Sequence, residues 1–410
     1  MKYNFNMEKL DILFSKVFCR LRHKTQLFNG EIDDHFHTRL QHTLEVEEIA
    51  INIAKCLENL DGKAGHINYS LLSQIALLHD IGHTPFGHAG ERALHQILSG
   101  KEKNYNLPDF KKYDLNIGFK HNINSGLLYL EMKSKERKSL RLLDGIVKHT
   151  KIYYKNEKDL DYGFDYVFQR FKRTTFNDEH LSIEGYIVSI ADEIAQVSSD
   201  YLDICLNSEI NKQGINFDCK PFSYFKGIDL NRENISFVTN MLIKRFVNSF
   251  KKYPNYKENN QERLKMILND FDKTRIEYIL KDEKIATFDK RSDDIIKTIF
   301  SKFYNDPSNM NADFFKDFVY RIRRHKYETS YVFNEVFKPI STKDKCIEFI
   351  RAVEKIVFSD KVDISKKRMK DYKTIYKMYL RSIAIYIAKM TDNYANHKYE
   401  ALCKSKVDIF

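Results

Sequence analysis

Residues that break helices almost disappear from the second half of this 410-residue chain. No glycine follows Gly227, and only three prolines come after it, at Pro254, Pro307 and Pro339. Glycine and proline are the residues that most often interrupt regular structure and form tight turns. The pattern therefore predicts long helices joined by few tight turns, and it favours an all-α fold.

The spacing of apolar residues places three of these helices. Apolar residues recur at intervals of three and four in the first, and His42 lies on the same face as them. The second is expected to end near Gly82 and Pro85, which cannot continue a helix. The third has an apolar stripe on one side and a polar stripe containing Asp192 on the other. The predicted helices cover about residues 37–60, 70–80 and 183–202.

Composition excludes several classes of protein. The chain is 42% hydrophobic and 30% charged, which is ordinary for a folded soluble protein. No apolar run approaches the roughly 20 residues that a membrane span needs, and residues 1–20 lack the core of a signal peptide, so we expect a cytoplasmic protein without membrane contact. Six cysteines without a CxxC pair indicate buried free thiols. The net charge of +11 fits either a lysine-rich solvated surface or a polyanion partner.

The densest group of chemically active side chains lies between residues 79 and 91. These thirteen residues contain His79, Asp80, His83, His88 and Glu91. Imidazole and carboxylate are ligands of divalent metals, and they also transfer protons near neutral pH. The segment is therefore the first candidate for a metal site or a catalytic site.

A metal at this segment would need ligands from elsewhere in the chain. His83 lies four residues after His79, but the glycine and proline between and after them prevent the continuous helix that a zinc-binding HxxxH pair requires. His42, on a core-facing stripe, and Asp192 are candidates for the remaining ligands. Two histidines and two carboxylates suit Mn, Mg, Fe or Co. A hydrogen-bonded core histidine and a solvated carboxylate remain the alternatives for these two residues.

Six segments of the chain resemble, in order, those of a known family. They are residues 18–26, 39–46, 79–91, 119–125, 190–195 and 386–395. Together they resemble the HD-domain deoxynucleoside triphosphate triphosphohydrolases, the bacterial dGTPase-like enzymes. The resemblance runs from about residue 11 to residue 400, and the run HTPFGHAGE is its most specific part.

The resemblance implies a role for each matching residue. The metal ligands would be His42, His79, Asp80 and Asp192. The catalytic residues would be His88, acting on the leaving group, Glu91, holding His88, and His83 and His121, lining the phosphate site. The substrate-binding residues would be Gln26, Arg39, Asn122, Gln196 and Asp200. Among these, Arg39 would pair with a phosphate, Gln26 would contact the deoxyribose, and Asp200 would contact its 3′-hydroxyl.

The resemblance also implies a reaction, cofactors and partners. A dNTP would be cleaved at the α-phosphorus to deoxynucleoside and inorganic triphosphate. Each site would hold one divalent ion (Mn, Mg, Fe or Co), with a second Mg entering with the triphosphate. The expected partners are the dNTP, further copies of the chain from dimer to hexamer, an allosteric nucleotide and single-stranded nucleic acid. We expect an HD phosphohydrolase core at 11–205, an irregular linker at 206–235 and a C-terminal helical region at 236–410 that completes the site and the oligomer interface.

The sequence departs from the family pattern at one substrate-binding position. Gln196 stands where the family usually has a tyrosine that packs on the deoxyribose. Two other functions therefore remain open: an HD phosphohydrolase of another, signalling nucleotide, and a nucleic-acid-binding protein with a vestigial HD site.

Overall fold

The computed structural model of the protein describes residues 7–26, 37–60, 65–132, 139–152, 154, 156–163, 167, 180–206, 235–252, 268, 283–324, 342–359 and 364–404. Regular structure in these ranges is helical. They contain no β-strand, only isolated bridges between Thr25 and Thr38 and between Ile117 and Asp161. The predicted all-α fold is confirmed.

Fourteen α-helices occur in the described residues, and we number them in chain order. They are α1 (Met7–Leu13), α2 (Lys16–Cys19), α3 (Arg39–Glu58), α4 (Tyr69–Leu78), α5 (Gly87–Leu98), α6 (His121–Glu131), α7 (Leu140–Lys148), α8 (Ile183–Leu206), α9 (Ile235–Lys252), α10 (Glu283–Asn305), α11 (Ala312–Arg324), α12 (Lys343–Val357), α13 (Lys366–Ala388) and α14 (Asp392–Lys404). Short 3-10 turns follow α2 and α10, at Arg20–His23 and Pro307–Asn309.

The three helices predicted from apolar spacing are α3, α4 and α8, with small differences at their ends. The first begins at Arg39 because the Thr38 hydroxyl accepts a hydrogen bond from the Gln41 amide, at 3.2 Å. In α4 the carbonyl oxygen of the Asn68 side chain caps the Leu71 amide in the same way, at 3.0 Å. The third extends four residues beyond its predicted end, to Leu206.

The chain separates into two compact units. The first comprises Met1–Gly82, His121–Ile152 and Arg173–Lys290. In this unit α3 packs against α4, α8 and α9, and α7 packs against α4, α6 and α8. The buried face of α3 carries Val46, Ala50, Ile53 and Leu57. His42 precedes this series by one turn, which is why its ring is directed into the interior of the unit.

The second unit comprises His83–Lys120, Tyr153–Lys172 and Arg291–Phe410. Here α13 packs against α5, α11 and α12. Its core is aromatic: Phe314 lies against Tyr379 and Tyr386, with ring centroids 6.3 and 5.6 Å away. Tyr304 and Tyr376 share a hydrogen bond of 2.8 Å between their hydroxyls. No helix among the described residues is long and apolar enough to cross a membrane.

Two sequence predictions concern residues outside this core. Free thiols are confirmed for Cys19, Cys56, Cys346 and Cys403, but of these four only Cys346 is buried. Burial is wrong for Cys19 and Cys403, because both lie on the solvent-facing sides of helices. The predicted linker at 206–235 falls almost entirely outside the described residues.

Candidate metal centre

His79 stands at the C-terminal end of α4 and is completely buried. Its Nδ1 lies 2.6 Å from the carbonyl oxygen of Ala76. Since a carbonyl can only accept, Nδ1 carries a proton, and Nε2 is the nitrogen that can bind an ion. Nε2 is buried and has no hydrogen-bond partner. A histidine that donates one ring nitrogen to the backbone and leaves the other unpaired has the arrangement of a metal ligand.

His42 and Asp192 approach this nitrogen from two other helices. His42 Nε2, on α3, lies 2.9 Å from Asp192 Oδ1, on α8. The same carboxylate oxygen lies 3.6 Å from His79 Nε2. One ligand atom from each residue lies within 4.8 Å of the others. The side chains that the sequence suggested as ligands from distant segments are thus brought together inside the first unit.

Asp80 faces two groups at once. Its Oδ2 lies 3.7 Å from His79 Nε2 and 2.5 Å from the guanidinium of Arg39. Its Oδ1 is directed instead at His121 and His149, at 3.8 and 3.6 Å from their Nε2 atoms. Asp80 therefore contacts the predicted metal ligands through one oxygen and a second pair of histidines through the other.

The charges of these groups depend on one another. Burial lowers the pKa of His79, but the carboxylates of Asp80 and Asp192 outweigh it and raise this pKa to about 9. Burial would raise the pKa of Asp192, but the imidazoles of His42 and His79 hold it well below its usual range. Without an ion, the group therefore contains a protonated imidazole between two carboxylates, in the place where a cation would be stable.

His149 is a member of this site that sequence reasoning missed. It caps the C-terminus of α7 and is buried, and its Nδ1 lies 2.7 Å from the carbonyl oxygen of Ile146. Burial and the charge of His79 lower the pKa of His149 to about 3, so its ring is neutral. The apolar pairs Leu142–Leu143 and Ile146–Val147 precede it at helical spacing. That spacing could have indicated from the sequence that His149 is buried, because it places His149 at the end of a buried helix face.

The second unit contributes His83, His88 and Glu91, which also lie close together. Its loop turns sharply into α5, since Phe86 and Gly87 both have left-handed backbone, with φ of 60° and 55°. The rings of His83 and His88 lie 5.3 Å apart, edge to face. These two histidines and Glu91 offer atoms within 4.8 Å of one another. His83 and Glu91 are buried, whereas His88 is partly exposed.

Two neighbours of Glu91 were not found from the sequence. Tyr154 donates a hydrogen bond of 2.6 Å from its hydroxyl to Glu91 Oε1. Lys120 Nζ lies 3.7 Å from the same oxygen and 4.5 Å above the centre of the Tyr154 ring. Tyr154 belongs to an aromatic, charged segment without periodicity, so nothing in the sequence distinguished it from its neighbours.

Comparison with known proteins concerns the part of the chain that carries the candidate metal centre. A family model described as HD domain matches residues 39–196, so this part of the chain is similar to an HD domain. The match begins at Arg39 on α3 and ends at Gln196 on α8, so it includes all four predicted metal ligands. We call His42, His79, Asp80 and Asp192 the HD centre.

Curated relatives extend the likeness beyond the HD domain. A deoxyguanosinetriphosphate triphosphohydrolase-like protein of Rickettsia prowazekii is 28% identical over 410 residues, 97% of this chain and 91% of the relative. Proteins with the same description from Clostridium tetani and Wolinella succinogenes are 36% identical over 203 and 205 residues. Those two matches span 48% of this chain and only 45% and 48% of the relatives. The resemblance predicted from the motifs is confirmed, and with the HD centre it supports a phosphohydrolase.

The predicted substrate-binding residues are less closely grouped than the predicted metal ligands. Gln26 precedes α3, and its backbone carbonyl lies 3.5 Å from the Arg39 guanidinium. Asn122, on α6, donates from its side-chain amide to the carbonyl of Val147 at 2.7 Å, which ties α6 to the end of α7. Gln196 and Asp200 follow Asp192 by one and two turns of α8, the first partly exposed and the second buried.

Proposed function

We propose that this protein hydrolyses deoxynucleoside triphosphates at the α-phosphorus, releasing a deoxynucleoside and inorganic triphosphate. The observation that carries the proposal is the convergence of His42, His79 and Asp192, with ligand atoms within 4.8 Å of one another, beside the buried pair of Asp80 and Arg39. The relatives described as deoxyguanosinetriphosphate triphosphohydrolase-like support the substrate class.

The HD centre would hold one divalent ion. Its donors fit, because His79 Nε2 is buried without a hydrogen-bond partner and two carboxylates lie within 3.7 Å of it. When bound, an ion of the Mn, Mg, Fe or Co type supplies a Lewis acid that polarises a phosphate and lowers the pKa of water. Imidazole and carboxylate ligands are compatible with each of these metals.

Arg39 is the residue that we propose to bind a phosphate oxygen. Its side chain is only 1% exposed, and one terminal nitrogen contacts Asp80 at 2.5 Å. Its Nε is buried without a hydrogen-bond partner. A buried N–H without an acceptor is costly, and guanidinium groups bind phosphate through two parallel N–H donors. A phosphate oxygen would satisfy this donor, while Asp80 keeps the guanidinium oriented.

We propose His88 as the proton donor for the leaving 5′-oxygen. An alkoxide leaves readily only if it is protonated as the bond breaks, and histidine is the usual general acid near neutral pH. Glu91 offers a carboxylate oxygen within 4.8 Å of a His88 ring nitrogen, so its negative charge favours the protonated ring. The hydrogen bond from Tyr154 keeps this carboxylate oriented.

The remaining contacts are proposed from the resemblance. His83 and His121 would face phosphate groups, and Gln26 and Asp200 would contact the sugar. In Asn122 the amide nitrogen is engaged by α7, and only its buried Oδ1 lacks a hydrogen-bond partner, so a substrate contact through Asn122 would use that oxygen. Gln196 offers an amide where the family has an aromatic ring, so stacking against the sugar and discrimination against ribonucleotides should both be weaker.

The assembly state, the activator and the location are part of the same proposal. We propose a homo-oligomer with a nucleotide activator, on the strength of the resemblance, and a cytoplasmic location. Single-stranded nucleic acid is a further partner that the charge of +11 would favour.

The test is to incubate the purified protein with Mn²⁺ and each dNTP, singly and mixed, and to separate the products by ion exchange. Deoxynucleoside with tripolyphosphate is expected. Release of pyrophosphate or single phosphate would instead indicate cleavage at another phosphorus, and the absence of turnover with every dNTP and mixture would contradict the proposal.

Two variants distinguish a loss of metal binding from a loss of proton donation. Asp192→Ala should lose the bound metal, whereas His88→Ala should keep it and lose at least about 100-fold in rate, the usual scale for a general acid. Glu48→Gln, at an exposed carboxylate of α3, is the matched control and should change neither. Unchanged metal content in Asp192→Ala would remove Asp192 from the HD centre, and full activity in His88→Ala would remove His88 from the reaction.

A further inference from the structure

We propose that His95 is a positioning residue for the proposed reaction, because it holds Tyr154 against Glu91 and thereby keeps the Glu91 carboxylate beside His88. This inference rests on the proposed function, since it concerns the group that would protonate the leaving oxygen. We assign His95 no contact with the reacting atoms, and its effect passes through the hydroxyl of Tyr154.

The side chains of Glu91 and His95 lie on one face of α5. They are four residues apart, which places them in successive turns of the helix, one above the other. Both are buried, at 3% and 4% exposure. A single large side chain that covers this face can therefore contact both of them and connect the imidazole to the carboxylate.

Tyr154 is the side chain that covers this face. The centre of its ring lies 4.2 Å from the centre of the His95 imidazole, and its hydroxyl donates to Glu91 Oε1 at 2.6 Å. Hydrogen bonds to a charged carboxylate are strong, but they weaken steeply when donor and acceptor lose their alignment. Because a tyrosine ring is rigid, a contact that fixes the ring also fixes the position of its hydroxyl oxygen.

The imidazole of His95 is anchored at both of its nitrogens. Nδ1 accepts a hydrogen bond of 3.3 Å from the backbone amide of Phe119, so Nε2 carries the hydrogen of a neutral ring. Nε2 donates that hydrogen to the Glu157 carboxylate. Burial, and then the charge of Lys101, lower the pKa of His95 to about 4, which keeps the ring neutral near pH 7. A ring bonded at both nitrogens cannot rotate away from Tyr154.

The bond to Glu157 also fixes the backbone that carries Tyr154. Glu157 follows Tyr154 by three residues, and its amide donates to the Tyr154 carbonyl oxygen at 3.2 Å, so the two residues form one turn. Lys101 pairs with the other oxygen of the Glu157 carboxylate. The Tyr154 amide donates to the Tyr162 hydroxyl at 3.4 Å. His95 therefore holds this turn twice, through its ring at Tyr154 and through Nε2 at Glu157.

The competing explanation is that His95 is only a part of the core of the second unit. Its replacement would then lower the Tm and leave the rate per folded molecule unchanged. The two explanations therefore differ in what they predict for Glu91 and His88, and agree in what they predict for stability.

The test variant is His95→Phe, which keeps an aromatic ring against Tyr154 but removes both hydrogen bonds of the imidazole. In the full chain with Mn²⁺ and dNTP we expect kcat to fall about 10- to 100-fold, as for a displaced catalytic group, with KM nearly unchanged. The acidic limb of the pH–rate profile should move to higher pH. Glu157→Ala removes the hydrogen-bond acceptor at a side chain that is 16% exposed, and it should change kcat in the same direction without disturbing the core.

Two controls separate positioning from stability. Tyr304→Phe removes hydrogen bonds of 2.8 and 3.0 Å to the Tyr376 hydroxyl and to Glu354, elsewhere in the second unit, and it should lower the Tm without moving the pH–rate profile. In a Tyr154→Phe background, His95→Phe should move the profile no further, because the hydroxyl through which it acts is absent.

One measurement does not depend on turnover. The titration of the His88 ring is followed by NMR on the full chain with labelled histidine, and its resonance is assigned from His88→Gln. We expect the pKa of His88 to be lower in His95→Phe than in wild type by about one unit, the lower end of the effect of a neighbouring opposite charge. Tyr304→Phe should leave this pKa unchanged.

Each outcome has a definite meaning. An unchanged kcat and an unchanged His88 titration in Glu157→Ala and in folded His95→Phe would overturn the positioning role and leave the proposed function intact. Equal effects of His95→Phe in the wild-type and Tyr154→Phe backgrounds would overturn the route through Tyr154. A wild type without dNTP turnover would contradict the proposed function, and the His88 titration would still decide the role of His95.

Discussion

Gly82 offers a direct test of how the HD centre is supported. It follows Asp80 by two residues and lies against the first turns of α6. A Cβ atom placed on Gly82 would lie 2.2 Å from Ser125 N, 2.4 Å from His121 O and 2.7 Å from Asn124 C. All three are backbone atoms, so no side-chain rotation could relieve the overlap. In Gly82→Ala, α6 and the His79–Asp80 segment must separate.

The cost of this separation can be worked from the contacts that it breaks. The Gly82 amide donates to Ser125 Oγ at 2.9 Å, and Asn124 donates from its side-chain nitrogen to the Gly82 carbonyl at 2.7 Å. Overpacking of this buried site, together with the weakening of the two hydrogen bonds, should lower the free energy of unfolding by about 3–5 kcal/mol. The same displacement shifts the His79–Asp80 segment relative to His42 and Asp192, so we also expect weaker binding of Mn²⁺.

The assay is thermal unfolding followed by circular dichroism, with Mn²⁺ content measured on the same samples. A loss of about 3–5 kcal/mol should lower the Tm of a unit of this size by about 6–20 °C. Gly65→Ala is the matched control, because a Cβ there would meet nothing within 4 Å. Its only cost is the strain of an alanine at the left-handed φ of 70°, which lowers the free energy of unfolding by about 1–2 kcal/mol. A Gly82→Ala variant that melts no lower than Gly65→Ala and binds Mn²⁺ normally would refute the reasoning.

Three further predictions follow from pKa shifts and hydrogen bonds. Tyr154→Phe removes a hydrogen bond to the Glu91 carboxylate, worth about 1.5–3 kcal/mol, so the acidic limb of the pH–rate profile should move to higher pH by about one to two units. An unchanged profile, like that expected for the control Tyr113→Phe, whose hydroxyl contacts Lys112 instead, would contradict a positioning role. Because the pKa of His79 is about 9 without an ion, binding of Mn²⁺ at pH 7.5 should release about one proton, which calorimetry in buffers of different ionisation enthalpy measures; no release would contradict the protonated ring. Burial and Lys148 lower the pKa of His180 to about 4, below its unfolded value, so stability is lost as pH falls from about 6.5 towards 4, and His180→Gln should reduce that loss by up to about 3 kcal/mol relative to wild type, with exposed His66→Gln as the control.

The parts of the fold that the sequence predicted are those with a strong repeating pattern. The spacing of apolar residues located α3, α4 and α8 to within a few residues, because a buried helix face must repeat every three or four positions. The same spacing predicted that the His42 side chain points into the interior. It did not predict the contact between His42 and Asp192, because a polar residue on a helix can equally lie on a solvated face until the partner helix is known.

The parts that the sequence missed depend on loops and on contacts between distant segments. Predicting that His149 belongs to the site requires the knowledge that the ends of α4 and α7 lie together. Apolar spacing within one helix carries no information about the position of another helix. Tyr154 and Lys120 surround Glu91 from two segments without periodicity. Asn122 also makes a contact that the sequence did not predict, since its side-chain amide joins α6 to α7.

The two helix-terminal histidines explain why a compact helical unit can keep so many polar groups in its interior. An imidazole in a core is costly unless both of its nitrogens are satisfied. His79 and His149 each satisfy one nitrogen with the carbonyl three residues earlier, which the end of a helix leaves unpaired. The second nitrogen of each then faces Asp80. An ion at the HD centre would bind His79 Nε2 beside that carboxylate, so metal binding should stabilise the first unit, and removal of the metal should lower the Tm of wild type more than that of Asp80→Asn.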